Sequence, residues 1–389
     1  MTYDFNTLIN RKNDGSSKWD LMDPNTPDDI VPLSVADSDM PLAPEIKNGL
    51  IEYLNTNAVF GYSKANCEYY QAIINWMEKR HQYKITEEMI VVSNGIVPAL
   101  YDAIRAFSNK GDGVIIFSPI YHPFYQAIET NNREVITCPL INKNGNYTID
   151  FEQFEKLAKE TKNKLLLLCS PHNPISRVWT KEELQKIANI CLDNDIIIIS
   201  DEIHADLIMP GYKHYPLASL NSAIENITIT CTAPSKSFNL AGLQGSNILI
   251  KNPILKKQFI LQQEKRCFHS LNTIAYKATI LAYNYGEKWL DEFIELINNN
   301  YQLLTAYLKE NMPLVKVSPL QGTYLAWLDF NDYHYDYKLL EKKMRHANLY
   351  FNEGYIFGEE GKGFERVNIA CPKDVLLAAL ERLKNEFQK

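Results

Sequence analysis

One lysine in this 389-residue sequence has the surroundings that an amine nucleophile requires. Lys236 lies in the stretch APSKSFNLAGL, among small and apolar residues and outside any run of charges. Burial favours the neutral form of a lysine, and a neutral amine can attack a carbonyl carbon to form a Schiff base. A lone lysine is more often a surface residue, so the assignment of Lys236 depends on the groups that the fold brings beside it.

Two further segments offer groups that could hold a flat, phosphorylated ligand. Gly95 follows the apolar run MIVVS and precedes Ile96 and Val97, at the predicted start of a helix. Free N–H groups at such a turn can hold a phosphate, although many turns between a strand and a helix contain glycine. Tyr121, in SPIYHP after another apolar run, could stack on a planar ring or pack locally at the rim of the sheet. Neither segment is specific by itself.

An amide and a carboxylate follow two more apolar runs. Two prolines stiffen the loop SPHNP, which presents Asn173 as a donor to an oxygen anion. Asp201 opens the segment DEIHAD, where a carboxylate can pair with a protonated ring nitrogen and keep it charged. A metal site is the competing interpretation of these acids and His204, but no His-rich spacing elsewhere completes a ligand set. We therefore expect no bound metal.

The segments that carry these groups alternate with apolar runs typical of a parallel sheet. Seven such runs, rich in Ile, Val and Leu, lie at 89–93, 114–117, 134–138, 164–169, 195–200, 227–231 and 247–250. Runs that are apolar throughout suit strands buried on both faces, and helices or long connections lie between them. A capping box from Thr180 to Glu183 predicts one of these helices. The pattern predicts a doubly wound α/β domain, which binds ligands at the carboxyl ends of its strands.

The pattern changes after residue 285. A long amphipathic helix is predicted around Trp289 and Leu308, followed by strands in VKVSP, GTYLAWLDF and RVNIAC and by a closing helix. We therefore expect three parts. They are an N-terminal segment that joins the small domain (1–43), a large domain with the ligand site (44–285) and a small α+β domain (286–389).

The composition suits a globular protein that works on small molecules. The 40 basic and 47 acidic residues leave a net charge of −7 with no long run of one sign, which argues against binding to nucleic acids or anionic membranes. No stretch approaches the roughly 18 apolar residues that span a bilayer, and the N-terminus lacks the apolar core of a signal peptide. The seven cysteines are scattered and show no C-x-x-C pair, so we expect free thiols in the cytoplasm.

Taken together, five groups describe one cofactor. The phosphate turn at Gly95, the ring of Tyr121, the amide of Asn173, the carboxylate of Asp201 and the amine of Lys236 each follow a different predicted strand. Pyridoxal phosphate needs an anchored phosphate, a charged ring nitrogen and a lysine that binds its aldehyde. The combination, rather than any one motif, predicts this cofactor.

The sequence also resembles a known family over essentially its whole length. Matching segments are DFNTLINRKNDGSSKWD, LSVADSDMPLAPEI, FGYS, SNGIVPAL, SPIYHPF, CSPHNP, SDEIHADL, APSKSFNLAGLQ, GTYLAWLD and RVNIACP. They resemble the fold-type I aminotransferase superfamily and, most closely, its β C-S lyase branch, the cystathionine β-lyases of MalY/PatB type. The resemblance implies a three-layer α/β fold with a mostly parallel seven-stranded sheet, a smaller α+β domain, pyridoxal phosphate as cofactor and a homodimer.

The resemblance also implies roles for particular residues. Lys236 would bind the cofactor and then move the α-proton, Asp201 would keep the pyridine nitrogen protonated, and Tyr121 would stack on the ring. The expected cofactor site comprises Gly95, Ile96, Val97, Tyr121, Asn173, Asp201, His204, Thr232, Ser235, Lys236 and Tyr62, the last reaching the neighbouring subunit. The expected substrate contacts are Arg366, which suits a bidentate bond to the α-carboxylate, Asn173 and Tyr324.

Several positions depart from the usual pattern of the family. Gln244 stands where many aminotransferases have a phosphate-binding arginine, and Ile175 and Ser176 replace a small residue and a glycine. Ser38 alters a stretch near the active-site entrance. We expect these changes to bear on substrate choice rather than on cofactor binding.

Three functions are compatible with these residues. The favoured one is β-elimination, in which L-cystathionine, L-cysteine or another S-substituted cysteine gives a thiol, pyruvate and ammonia. A class I/II aminotransferase could use the same groups, because Lys236 could return the proton to either of two carbons. The third is a cofactor-holding regulator with a protein partner, against which the intact set of Lys236, Asp201, Asn173 and Arg366 argues.

Overall fold

The computed structural model describes residues 2–57 and 59–388. The strands within these residues are β1 (Ile90–Ser93), β2 (Gly113–Ser118), β3 (Glu134–Pro139), β4 (Ile141–Lys143), β5 (Asn146–Thr148), β6 (Asn163–Cys169), β7 (Ile197–Asp201), β8 (Thr228–Thr232), β9 (Ser246–Ile250), β10 (Lys316–Val317), β11 (Leu325–Asp329), β12 (Asn352–Glu353) and β13 (Phe364–Asn368). The α-helices are α1 (Pro44–Asn57), α2 (Cys67–His81), α3 (Ile96–Phe107), α4 (Pro123–Thr130), α5 (Phe151–Ala158), α6 (Lys181–Asp193), α7 (Ser222–Ile227), α8 (Pro234–Ser237), α9 (Pro253–Lys265), α10 (Thr273–Tyr285), α11 (Glu287–Asn311), α12 (Tyr337–His346) and α13 (Lys373–Phe387).

A seven-stranded sheet forms the centre of the molecule, in the order β1-β9-β8-β7-β6-β2-β3. The strands β8, β7, β6, β2 and β3 pair in parallel, whereas β9 runs antiparallel to both of its neighbours. Each strand corresponds to one of the seven apolar runs. The predicted mostly parallel seven-stranded sheet is therefore confirmed.

Both faces of this sheet are covered by helices, because its strands are apolar on both sides. In β2, Val114 and Ile116 pack in a cluster with residues of α3, α4 and α9. The alternate residues Ile115 and Phe117 pack in another cluster with residues of α5 and α6. The period-two alternation of a strand thus produces the predicted three layers.

The predicted capping box begins α6. The Thr180 side chain accepts a hydrogen bond from the N–H of Glu183, and the Glu183 carboxylate accepts one from the N–H of Thr180. Two free N–H groups at the helix start are satisfied by this reciprocal pair, so the sequence motif is confirmed as a helix start.

A smaller antiparallel sheet follows, in the order β10-β11-β13-β12. The N-terminal segment packs on it: Leu33 donates its N–H to the carbonyl of Tyr350 and accepts from the N–H of Asn368. One hydrophobic cluster also runs from Phe5 to Leu383 across both expected domain boundaries. The boundaries at 43/44 and 285/286 stay a prediction.

Two short features were absent from the sequence prediction. They are the hairpin of β4 and β5 and the two-residue strand β12. Elements of two or three residues are too short to show a periodicity. No helix among the described residues is both long and apolar enough to cross a membrane.

Candidate active site

A cavity of about 270 Å³ lies where β1, β2, β6, β7 and β8 end. The segments after these strands carry the chemistry-bearing groups, and the carboxyl ends of parallel strands meet at one edge of a sheet. The predicted site residues that line the cavity are Gly95, Ile96, Val97, Tyr121, Asn173, Asp201, His204, Ser235, Lys236 and Arg366. The structure thus brings together groups from both the large and the small sheet.

Lys236 reaches the cavity from α8, a single helical turn that directly follows β8. Its Nζ donates a hydrogen bond to the carbonyl oxygen of Ala36 over 2.7 Å. The pKa of the Lys236 amine is lowered to about 8, chiefly by burial and then by the charge of Arg366, against the opposing carboxylates of Asp37 and Asp201. An appreciable fraction of neutral amine is therefore present near neutral pH.

Asp201 is buried at the end of β7, where it faces the same cavity. Burial raises the pKa of this carboxyl to about 7, although the N–H of Ile203 and the charge of Lys236 favour the ionised form. The Ile203 N–H donates to Oδ1 over 3.1 Å. A cationic ring nitrogen beside Asp201 would supply the missing countercharge and return the carboxyl to its ionised form.

Arg366 is buried on β13, and three oxygens hold its guanidinium in place. Nη1 donates to Oδ1 of Asn173 over 2.9 Å, while Nη2 donates to Oδ1 of Asn352 over 2.6 Å and to the carbonyl of Ser34 over 3.3 Å. Burial lowers the pKa of Arg366 to about 10, which leaves it positively charged at neutral pH. The site therefore contains a fixed cation that suits a carboxylate ligand.

Gly95 shapes the end of the cavity expected to take a phosphate. It caps α3 with a φ of +121°, a backbone conformation that favours glycine. Ile96 and Val97 begin the helix, and the first N–H groups of a helix have no intrahelical acceptor. These N–H groups, with the nearby Ser235 hydroxyl, form a donor set that suits a phosphate.

Buried polar atoms without hydrogen-bond partners among the described residues also mark the site. They are Nδ1 of His204, Nδ1 of His122 and Nε of Arg366. Burial, followed by the charges of Lys236 and Arg366, holds the pKa of His204 well below its usual value, so its imidazole is neutral. Buried polar groups are normally paired, so these atoms are available to a ligand. The residues present fit pyridoxal phosphate, since they offer phosphate donors, an aromatic face, a carboxylate and an amine.

Three predicted site residues do not line this cavity. The hydroxyl of Thr232 donates to the carbonyl of Asn247 over 3.3 Å. Tyr324 is buried, and its hydroxyl donates to the carbonyl of Ala36 over 2.8 Å, the same oxygen that Lys236 contacts. Tyr62 is fully exposed, away from the cavity of its own chain. The ligand-binding roles of these three residues stay predictions.

The acids near Asp201 have partners other than a metal. Glu202 contacts His214 over 2.9 Å, and Asp206 contacts His81 over 2.7 Å. In the described ranges no group of three His, Cys, Asp or Glu side chains could hold a metal ion. Glu202 and Asp206 are thus held by histidines from other segments, whereas Asp201 and His204 line the cavity.

Several residues of the cavity were not singled out from the sequence. They include Ala36, which offers a backbone carbonyl, His122 beside Tyr121, and Asn352 on the two-residue strand β12. A backbone carbonyl has no sequence pattern, and a single histidine or asparagine has many uses. The position of His122, directly after the predicted ring-stacking residue, is the one feature that could have indicated it.

The loop after β6 accommodates Ser176 at a position where the resemblance implies a glycine. Ser176 has a φ of +56°, in the left-handed region that glycine adopts without strain. Its Oγ lies 2.7 Å from Oγ1 of Thr323, and its carbonyl accepts the N–H groups of Gln321 and Gly322. Because these contacts tie the loop of Asn173 to the segment before β11, they offset the strain at Ser176.

The chain belongs to the class I and II aminotransferase family, whose model matches residues 28–383. The predicted membership is therefore confirmed. Within that family, the chain is similar to cystathionine beta-lyase PatB of Bacillus subtilis, with 38% identity over 357 residues that cover 92% of each chain.

The chain is also similar to solved structures of proteins that bind pyridoxal phosphate. The structure is similar to cystalysin from Treponema denticola, which contains a pyridoxal 5'-phosphate cofactor, with a TM-score of 0.98 and 46% identity over 100% of this chain and 99% of that chain. It is also similar to a PLP-bound C-S lyase from Staphylococcus hominis in complex with L-cycloserine, with a TM-score of 0.92 and 31% identity over 99% and 98% of the two chains.

Proposed function

We propose that this protein is a pyridoxal-phosphate-dependent β C-S lyase that converts S-substituted cysteines into a thiol, pyruvate and ammonia. The observation that carries the proposal is one cavity shared by the Lys236 amine, with its pKa lowered to about 8, the buried Asp201 and the fixed Arg366. The similarity to cystathionine beta-lyase PatB and to a PLP-bound C-S lyase supports the same activity.

Residues around the cavity would hold the cofactor by three different means. The N–H groups of Ile96 and Val97 would bind the phosphate, the ring of Tyr121 would stack on the pyridine, and Asp201 would pair with the ring nitrogen. When bound, pyridoxal phosphate supplies an electron sink that stabilises negative charge on the α-carbon of an amino acid.

Arg366 binds the α-carboxylate of the substrate. Its planar guanidinium is already held by Asn173 and Asn352, so little freedom is lost when a carboxylate arrives. A carboxylate placed against Arg366 orients the α-carbon of the substrate towards the cavity that Lys236 also lines. Any L-amino acid offers this head group, so specificity depends on the remainder of the cavity.

Lys236 moves the proton. Its neutral Nζ accepts the α-proton, and the lowered pKa makes that neutral form accessible. The carbonyl of Ala36 accepts one N–H of the amine and fixes its direction. Loss of the α-proton allows the bond between the β-carbon and sulfur to break, with the thiolate as leaving group.

Product formation without a keto acid tests the proposal. Purified protein supplied with pyridoxal phosphate should release pyruvate and free thiol in equal amounts from L-cystathionine. Lys236→Ala should release neither. Protein that shows the visible absorbance of bound cofactor but gives no pyruvate from L-cystathionine, L-cysteine or an S-alkyl cysteine would contradict the assignment.

A class I/II aminotransferase is the second candidate, because the matching family model carries that description. Such an enzyme needs a keto acid to complete its cycle. Conversion of an added keto acid into its amino acid, with the amino donor consumed in step, would favour transamination over elimination.

The finer features of the proposal concern assembly and location. Val59, Phe60 and Tyr62 are strongly exposed apolar or aromatic residues on one short segment, which supports a homodimer in which Tyr62 reaches the neighbouring site. The seven cysteines are free, which supports a reducing, cytoplasmic compartment. Sedimentation of the purified protein tests the dimer directly.

A further inference from the structure

A buried carboxylate that the proposed reaction does not use lies beside the helix of Lys236. Asp206 accepts hydrogen bonds at Oδ1 from Nε1 of Trp76 over 3.0 Å, and Nε2 of His81 lies 2.7 Å from the same oxygen. The hydroxyl of Ser237 donates to Oδ2 over 2.6 Å. Three side chains thus converge on two oxygens, an arrangement that suits an ionised carboxylate.

The charge on Asp206 is maintained by these contacts. Burial opposes ionisation, but the hydrogen bond and charge of His81, together with the Ser237 hydroxyl, outweigh it and hold the pKa of Asp206 below its usual value. Asp206 is therefore a stable anchor for the groups that it contacts.

The helix that carries Lys236 needs such an anchor. α8 has four residues, and one helical turn has little stability of its own. Ser237 follows Lys236 directly and is completely buried. Its bond to Asp206 therefore fixes the backbone at the residue next to the reactive amine, and Trp76 and His81 attach Asp206 to α2.

The contacts around Asp206 continue to the loop that follows Asp201. The rings of His81 and His214 meet edge-on, with centroids 5.7 Å apart and planes at 88°. His214 in turn contacts the carboxylate of Glu202, the residue after Asp201, over 2.9 Å. A buried series of contacts thus connects the neighbours of Asp201 and Lys236, through Glu202, His214, His81, Asp206 and Ser237.

We propose that Asp206 is a positioning residue that acts through Ser237 to fix the direction from which Lys236 enters the cavity. The inference rests on the proposed role of Lys236 as the residue that binds pyridoxal phosphate. The proposed role of Asp206 predicts that covalent reaction and noncovalent binding of the cofactor depend on different residues. Covalent reaction at Lys236 depends on Asp206, whereas noncovalent binding of the ring and phosphate depends on groups such as Asp201 and Ile96.

Two measurements on the apoprotein test this separation. The first is the rate of covalent attachment of pyridoxal phosphate, trapped with borohydride and followed by mass. The second is the affinity for pyridoxine phosphate, which lacks the aldehyde. Asp206→Asn removes the negative charge and keeps one acceptor oxygen, so its NH₂ group must face either the hydroxyl of Ser237 or the ring nitrogens of Trp76 and His81. We expect covalent attachment to slow roughly tenfold or more, and the affinity for pyridoxine phosphate to stay within about threefold of wild type.

A second acid–histidine pair, with a more exposed histidine and a further contact to Lys343, provides the control. Glu386 on α13 is 8% exposed and contacts His346 over 2.7 Å, the same distance as in the pair of Asp206 and His81. Glu386→Gln should leave the attachment rate near that of wild type. Equal slowing in both variants, or an equal loss of pyridoxine phosphate affinity in Asp206→Asn, would show a general structural defect and overturn the proposal.

A double-mutant cycle tests the route through Ser237. If Asp206 acts through Ser237, then Asp206→Asn combined with Ser237→Ala should be no slower than Asp206→Asn alone. If the double variant instead loses rate by the product of the two single losses, Asp206 does not act through Ser237. A wild-type protein that traps no cofactor at Lys236 would instead contradict the proposed function, so the two failures are distinguishable.

Discussion

Nη1 of Arg366 donates to Oδ1 of Asn173 over 2.9 Å and so joins the small sheet to the loop after β6 of the large sheet. The guanidinium and the amide fix one another: the carbonyl side of Asn173 faces Arg366, so its NH₂ group remains for a ligand oxygen. The residues proposed to bind the substrate carboxylate and the cofactor ring are therefore in direct contact. A substitution at either residue should affect both.

Arg366→Lys should raise the KM for an S-substituted cysteine by roughly 10- to 100-fold, with a smaller change in kcat. Lysine keeps the charge but cannot form two parallel hydrogen bonds or contact Asn173 and Asn352 at once. Steady-state pyruvate release measures both constants. Arg345→Lys is the control, because Arg345 lies outside the cavity, where it pairs with Glu353 and lies over the ring of Tyr350. An unchanged KM in Arg366→Lys would remove Arg366 from substrate binding.

Asp201→Asn should make the cofactor-free protein more stable at pH 8. Burial raises the pKa of Asp201 from 3.8 to about 7, so the folded state holds a proton that the unfolded chain releases between these values. Stability from this group is present below about pH 4 and is lost as the pH rises through 7. The neutral amide of the variant does not titrate and so avoids this loss. One pKa unit corresponds to about 1.4 kcal/mol, so the gain in the free energy of unfolding amounts to a few kcal/mol.

Urea unfolding of the two apoproteins at pH 5 and pH 8 measures this difference. The advantage of Asp201→Asn should grow with pH, and the variant should bind pyridoxal phosphate more weakly than wild type. An apoprotein variant that is less stable than wild type at pH 8 would contradict the raised pKa.

Ser176→Ala should destabilise the protein more than Ser176→Gly. Both variants lose the hydroxyl contact with Thr323, but alanine keeps the strain of a φ of +56° whereas glycine adopts it freely. We expect a difference of about 1 kcal/mol in the free energy of unfolding. Denaturant melts of the holoprotein provide the measurement, and an equal loss in the two variants would mean that the backbone of this loop is unstrained.

Subunits that carry Tyr62→Ala and subunits that carry Lys236→Ala should complement each other. If Tyr62 serves the neighbouring site, a hybrid dimer has one site with both residues intact, so a random mixture recovers about a quarter of wild-type activity. Each variant alone should have little activity at low cofactor concentration. Activity that does not rise on mixing, after subunit exchange has been verified, would place the role of Tyr62 within its own chain.

The parts of the site that follow strands could be predicted from the sequence. The strands β2, β6, β7 and β8 are buried along most of their length, so each end is visible as the point where polar residues begin, and Tyr121, Asn173, Asp201 and Lys236 lie at or just past such points. The capping box at Thr180 is a local pattern of the same kind. Features that are encoded within a few neighbouring residues can be predicted from the sequence.

Features that depend on partners distant in the chain could not be predicted from the sequence. His81 and Asp206 lie 125 positions apart, and no spacing indicates that they meet. Ala36 acts through its carbonyl, which every residue has. The sequence predicts Tyr324 as a substrate contact, a role that stays a prediction, but it does not indicate that the Tyr324 hydroxyl donates to that same carbonyl. Contacts of this kind are fixed by tertiary packing and not by local periodicity.

The position of Ala36 also determines when the cavity can be completed during synthesis. Ala36 precedes the large sheet in the chain, but the side chains that hold its segment, Tyr324, Arg366 and Asn368, lie 288 to 333 positions downstream of their partners. The large sheet, which ends at Ile250, can form before they emerge. A nascent chain can therefore acquire its lysine, carboxylate and phosphate turn before the residues that hold the facing wall of the cavity have been synthesised.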